Sequence, residues 1–172
     1  KNDALQVKYL AGFAKWEVSR SPPLAPVSLA DTLSNQKVYP QPNTQSAGCG
    51  FPVMYLSALM SLTSGALLDF ETGSGNGSEL TRWRKMWHLL KSGDVILGDG
   101  KYSSYADMAL LRKRGIDVVA RSGKRKTDFR KGKIIALGDH IVEWERPKQL
   151  PAWLAGKCLP EKMMIRELRF HV

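Results

Sequence analysis

The sequence predicts an α/β fold that runs into a β-rich tail. Asp94-Val95-Ile96-Leu97-Gly98 is a short apolar run bounded by turn residues, which reads as a buried strand. Ser104 to Arg114 has helical spacing, and Ile116 to Ala120 is a second apolar run, so the three together form a βαβ unit with a parallel crossover. Beyond it, apolar runs alternate with turn residues and no further helix is legible.

The N-terminal elements are less regular. Ser21-Pro22-Pro23-Leu24-Ala25-Pro26 cannot sit in a helix interior or a central strand, because proline fixes φ and lacks an N–H. Residues 32–50 are polar and turn-rich and read as a long loop. Phe51 to Leu68 carries no charge across 18 residues, the lower edge of a membrane-spanning length. It contains Pro52 and a Thr63-Ser64-Gly65 cluster, which predicts an antiparallel hairpin of Val53–Leu62 and Ala66–Phe70, with a membrane span as the alternative.

Gly73-Ser74-Gly75-Asn76-Gly77-Ser78 has three glycines but matches neither phosphate-cradling glycine pattern. It reads as a linker into a helix capped by Ser78, with Glu79 at the positive end. Leu80, Trp83, Met86, Trp87 and Leu90 share one face of that helix and read as core. In the next helix Tyr105, Met108 and Leu111 share a face, and Gly115 ends it after Arg112-Lys113-Arg114. Ile134–Leu137 and His140–Trp144 flank Gly138-Asp139, a hairpin with a Gly-Asp turn. Arg146 to Leu154 reads as a loop or edge segment, and Met163–Val172 as a last strand.

Charge narrows the function. Lys and Arg number 26 against 16 Asp and Glu, a net charge of +10, which suits a polyanionic partner, most often nucleic acid, with a soluble protein that is simply basic as the other reading. Seven of the cations lie between Arg121 and Lys133, with Asp128 the single acid. Lys124, Arg125, Lys126, Arg130, Lys131 and Lys133 are therefore the candidate phosphate contacts, and a solvated loop is the other reading. Two cysteines, Cys49 and Cys158, form no ligand or redox motif, and scattered thiols suit a reducing cytoplasm. His88, His140 and His171 have no spaced partner, and no hydrolase or metalloprotease motif is present.

Asp99 is the candidate catalytic residue and metal ligand. It directly follows the apolar strand in Leu97-Gly98-Asp99-Gly100, where open α/β sheets build their sites. A carboxylate there offers the hard oxygen that Mg²⁺ requires. The competing reading is an ordinary Asp-Gly turn.

From Val27 onward the chain resembles insertion-sequence transposases with an Asp-Asp-Glu catalytic core, of the IS-four group. The resemblance rests on Val27-Ser28-Leu29-Ala30-Asp31-Thr32 with Asn35-Gln36, Tyr39-Pro40-Gln41-Pro42, Gly48-Cys49-Gly50-Phe51-Pro52-Val53 and Ser64 to Asp69. It continues through Gly93 to Asp99 and Tyr105, Arg125 to Arg130, Gly138-Asp139-His140 with Trp144, and Ile165 to Arg169. It implies a ribonuclease-H-like fold, three carboxylates, two Mg²⁺ ions and in-line attack on DNA phosphate. It carries the family's second catalytic aspartate onto Asp99. Pro23 stands where the first aspartate belongs, Asp31 matches a later and non-catalytic one, and the helix with the family's glutamate is absent.

The expected organisation is an unmatched segment 1–26, a partial ribonuclease-H-like core 27–115 and a truncated β-rich insertion 116–172. The first strand, a central one, is expected to be missing, leaving strand edges open around 53–70. The expected function is DNA transposition at family level in a catalytically incomplete fragment, with no cleavage by the chain alone. A non-catalytic basic DNA-binding module and a non-functional gene remnant are the alternatives. DNA, a second copy or a full-length transposase are the expected partners, no membrane is involved, and the expected location is the bacterial cytoplasm near the nucleoid.

Overall fold

A computed structural model describes residues 27–46, 50–74, 78–122 and 127–169, and the backbone of 7–11. These form a mixed α/β structure with two sheets. The larger contains β1 (Val7–Ala11), β2 (Val27–Ser28), β3 (Val53–Ser61), β4 (Leu67–Gly73), β5 (Val95–Gly98) and β6 (Asp117–Ala120). The smaller contains β7 (Lys133–Ala136), β8 (Asp139–Glu145) and β9 (Lys162–Leu168), all antiparallel. Three α-helices, α1 (Leu33–Val38), α2 (Glu79–Lys85) and α3 (Tyr105–Lys113), complete the regular structure with short 3-10 turns.

The neutral run 51–68 folds as the expected hairpin. β3 pairs antiparallel with β4, and the connection turns at Gly65, whose φ is +69°. Among the described residues no helix is long and apolar enough to cross a membrane. β5, α3 and β6 form the expected βαβ unit, with Val95 to Gly98 parallel to Asp117 to Ala120. The second hairpin turns one residue earlier than expected. Ala136 faces Asp139, so Leu137-Gly138 is the loop and Asp139 already opens β8.

Two expectations fail. The central strand of the larger sheet is present, supplied by residues 7–11. β1 is antiparallel to β3, with Lys8 level with Ser61, and parallel to β5, with Val7 level with Val95. It covers the strand edge that a missing first strand would leave open. The strands therefore run β4-β3-β1-β5-β6 across the sheet. The supposed loop 32–50 contains α1. Thr32 caps it by accepting from the Asn35 N–H at 3.2 Å, and the Asn35 amide donates to the Ala30 carbonyl at 2.8 Å.

Two apolar clusters meet at α3. Leu59, Ile96 and Ile116 from the sheet side pack with Trp83, Met86 and Leu90, as the helical spacing predicts, and with Tyr102 and Leu111. The second cluster joins Tyr105, Ala106 and Ala109 to Leu154, Leu159 and Met163, with Trp144 and Ile165 against it. Tyr105 meets Trp144 edge-on at 5.2 Å and donates to the Pro160 carbonyl at 2.8 Å. Thus α3 buries Leu111 in one core and Tyr105 and Met108 beside the other, which divides the face the sequence reading assigned to one side.

Gly115 ends α3 at φ +72°, and a Cβ there would lie 2.3 Å from Ser92 Oγ. Gly115→Ala is expected to cost about 1 kcal/mol or somewhat more, read as a lower urea midpoint with an unchanged slope.

Candidate functional site

Asp99 sits where the βα connection leaves β5. Gly98 lets Tyr102 pack close there: a Cβ would approach its side-chain atoms to 3.0–3.2 Å, so the ring would have to shift by a few tenths of an ångström. The Asp99 carboxylate caps the 3-10 turn Gly100–Tyr102, accepting from the Gly100 N–H at 2.6 Å. The same oxygen pairs with the Arg121 guanidinium at 3.1 Å. The two side chains are 55% and 68% exposed, so the pair is a surface contact open to exchange with solutes.

This pairing follows from register. Gly98 is level with Ala120, so Asp99 and Arg121 leave their parallel strands side by side. On the other flank the ladder between β1 and β5 ends with Tyr9 level with Leu97, and the same register carried two residues further would set Ala11 beside Asp99. Carried past their last pairs, the two registers line up Ala11, Asp99 and Arg121 at the sheet end, with one carboxylate among them.

A second carboxylate, unremarked by the sequence reasoning beyond its helix position, lies close by. Glu79 opens α2 and accepts from the Tyr102 hydroxyl and from the Lys101 ammonium, the latter at 3.1 Å. Burial first, and then the Glu79 carboxylate, push the Tyr102 hydroxyl far above the usual phenol range. Arg82 is buried behind it, donating to Ser57 Oγ at 3.3 Å and lying over the Tyr55 ring at 5.8 Å.

A pair of Mg²⁺ ions needs several carboxylate oxygens as anchors. Among the described residues no group of three His, Cys, Asp or Glu side chains could hold a metal ion. Asp99 has a guanidinium beside it and Glu79 an ammonium and a hydroxyl, and with no third ligand grouped with either, the described residues do not fit such a centre. Asp31 accepts from the Gln36 amide at 2.8 Å, and Asp69 from the Phe70 N–H at 2.8 Å.

Half of the candidate phosphate contacts, Lys124, Arg125 and Lys126, lie outside the described residues. Of the other half, Arg130 and Lys131 lie in an exposed turn before β7 and Lys133 opens the strand. Arg130 is paired with Asp128 at 2.9 Å, and this guanidinium holds the Asp128 carboxyl down at about 2. Lys131 and Lys133 are exposed, as is the whole of β7. Phe129 stands beneath the Arg169 guanidinium, 4.3 Å from its ring centre. His88 is exposed and bonded to the Lys85 carbonyl, Cys158 is exposed, and Cys49 and His171 lie outside the described residues.

The family described as Transposase DDE domain matches residues 27–156, most of the chain. The chain belongs to this family. At family level its function is therefore DNA transposition, which acts on DNA and generally uses a divalent metal. The match begins at Val27, after β1 and its central place in the sheet. No curated protein and no solved structure matches the chain.

Proposed function

We propose that this transposase-family chain binds DNA through its basic surface and does not cut DNA by itself. The observation that carries this reading is the Asp99–Arg121 pair: among the described residues Asp99 has a guanidinium beside it and belongs to no group of three metal-ligating side chains, and the continued register of β1 brings Ala11, not a carboxylate, to its other flank. The proposed fold is a ribonuclease-H-like core with a β-rich insertion. The run β4-β3-β1-β5-β6, with β1 antiparallel to β3 and β5 parallel to both β1 and β6, supports it. The sequence reading begins the insertion at residue 116, but β6 pairs with β5 in the larger sheet, so the proposed insertion begins after β6 and contains the three-stranded sheet, which shares a core with α3. Asp99 is the proposed remnant of the metal centre, and Lys124, Arg125, Lys126, Arg130, Lys131 and Lys133 the proposed phosphate contacts. A second copy or a complete transposase sharing the DNA is the proposed partner, in the cytoplasm at the nucleoid.

The net charge of +10 supports the DNA reading, because cations that neutralise phosphates release counterions and bind any sequence. The test is a titration against duplex DNA at about 50 and 200 mM salt, with and without Mg²⁺. Binding is expected to weaken steeply with salt, with no nicked product in either set. Replacing Lys131 and Lys133 by glutamine is expected to reduce the slope of log affinity against log salt by about 2. Mg²⁺-dependent nicking that disappears in Asp99→Ala would overturn the non-cutting reading.

A further inference from the structure

The basic turn before β7 has a specific seat, and that seat is a histidine. His140 is the second residue of β8 and is 1% exposed. Its Nδ1 lies 2.7 Å from the Lys131 carbonyl oxygen, in the middle of the turn. Its Nε2 lies 2.9 Å from Glu167 Oε2 on β9, directly across the pair His140 and Glu167 in the strand register. A carbonyl and a carboxylate both only accept, so both contacts are hydrogen bonds together only when the ring carries two protons.

The rest of the turn closes over the same ring. Phe129 packs on the imidazole with centroids 4.6 Å apart, and Arg169 covers Phe129. Gly132 has φ +76°, and a Cβ on it would stand 2.3 Å from the Ile141 carbonyl oxygen, so the turn backbone lies directly on β8. Nothing but glycine fits there.

We propose that His140 is the positioning residue that seats the basic turn 127–133 on the three-stranded sheet, and that the turn, with its hold on DNA, loosens as the pH rises. The use of the turn rests on the DNA-binding reading above. When the ring loses one proton, the remaining one stays toward Glu167, because a bond to a carboxylate is the stronger of the two. Nδ1 then faces the Lys131 carbonyl as one acceptor facing another. The bond that ties the turn to the sheet is the one that is lost.

The two aspartates beside the seat are each held by an arginine. Asp128 and Arg130 satisfy each other within the turn, and Asp128 is held at about 2. Asp139, beside His140 on β8, pairs with Arg166 at 2.6 Å, which keeps its carboxyl below the usual range. Histidine is the side chain in this set whose ordinary titration falls between pH 5 and 8.

Glu167→Gln separates positioning from mere packing. The amide can donate to Nε2 of a neutral ring, leaving the Nδ1 proton on the Lys131 carbonyl at every pH. The test uses the full chain at about pH 6 and about pH 8.5, following amide hydrogen exchange, corrected for intrinsic rate, and affinity for a short DNA duplex. In the wild-type chain, protection of residues 130–133 and DNA affinity are both expected to fall about fivefold on raising the pH. In Glu167→Gln both are expected to stay level. Equal pH dependence in the two proteins, or no dependence in either, would overturn the proposal. If Glu167→Gln does not fold, the wild-type imidazole nitrogen resonances decide. Two protonated nitrogens at the lower pH support the seat, and a neutral ring there overturns it. A pH-dependent turn in a chain that binds no DNA supports the seat and overturns the DNA reading instead.

Discussion

Replacing Arg84 by alanine is expected to destabilise the chain by about 3–5 kcal/mol, measured by urea unfolding. Arg84 meets the Asp107 carboxylate with two parallel bonds, Nε at 2.8 Å and Nη2 at 3.0 Å. The Asp107 side chain is 0% exposed, so water cannot replace the guanidinium. Ser104 also donates to it, at 2.7 Å, while accepting from the Asp107 N–H as the cap of α3. One hydroxyl does not compensate a buried carboxylate, which is why removing one partner costs far more than the pair contributes. The Arg84 guanidinium also lies over the Trp153 ring at 3.8 Å, joining α2 and α3 to the turn at 152–154. The double change Arg84→Met with Asp107→Leu is expected to recover most of the loss. A loss below about 1 kcal/mol for Arg84→Ala would mean that the carboxylate reaches water after all.

How far the fold was legible depends on where each element's stability comes from. The Trp83, Met86 and Leu90 stripe and the two runs 94–98 and 116–120 declared themselves because each buries a periodic apolar face. α1 has no such face: Leu33 and Val38 are exposed, and capping by Thr32 and Asn35 holds the turn together. β1 failed for a different reason. Five residues with no alternating pattern become a strand only because β3 and β5 pair with both of their edges.

The candidate site divides in the same way. Asp99 was visible from one local fact, a carboxylate at the end of an apolar run. Its partner Arg121 is 22 residues away, but each follows its strand directly, so the parallel register was the available signal. His140 and Glu167 carry no such signal. They are separated by 27 positions and meet only once β8 and β9 are in register. The basic turn was read as a patch of charge, but Arg130 is paired inside it and the seat beneath it is aromatic and histidine.

Ala11→Asp is expected to make the stability of the chain depend on Mg²⁺. Neighbouring strands lie about 4.8 Å apart, so with the β1–β5 register carried two residues past Tyr9 and Leu97, residues 11 and 99 would bring two carboxylates to the same sheet end. Without metal the two charges repel, and the variant is expected to melt below the wild type in chelator. Arg121 relieves part of that repulsion, because it is already on Asp99. Mg²⁺ relieves more, since a shared cation binds the folded site and has no counterpart in the unfolded chain. At a Mg²⁺ concentration about ten times the dissociation constant, binding contributes about 1.4 kcal/mol, and relief of repulsion raises the swing to about 2–3 kcal/mol. The measurement is a pair of thermal melts, in chelator and in Mg²⁺, for each protein. The wild type is expected to melt at the same temperature in both, because Asp99 is the one acid in its row and a guanidinium occupies it. A Mg²⁺ shift in the wild type would show that other carboxylates complete the site. No shift in Ala11→Asp would show that β1 does not deliver residue 11 to the level of Asp99, and the account of the lost cation site would fail with it.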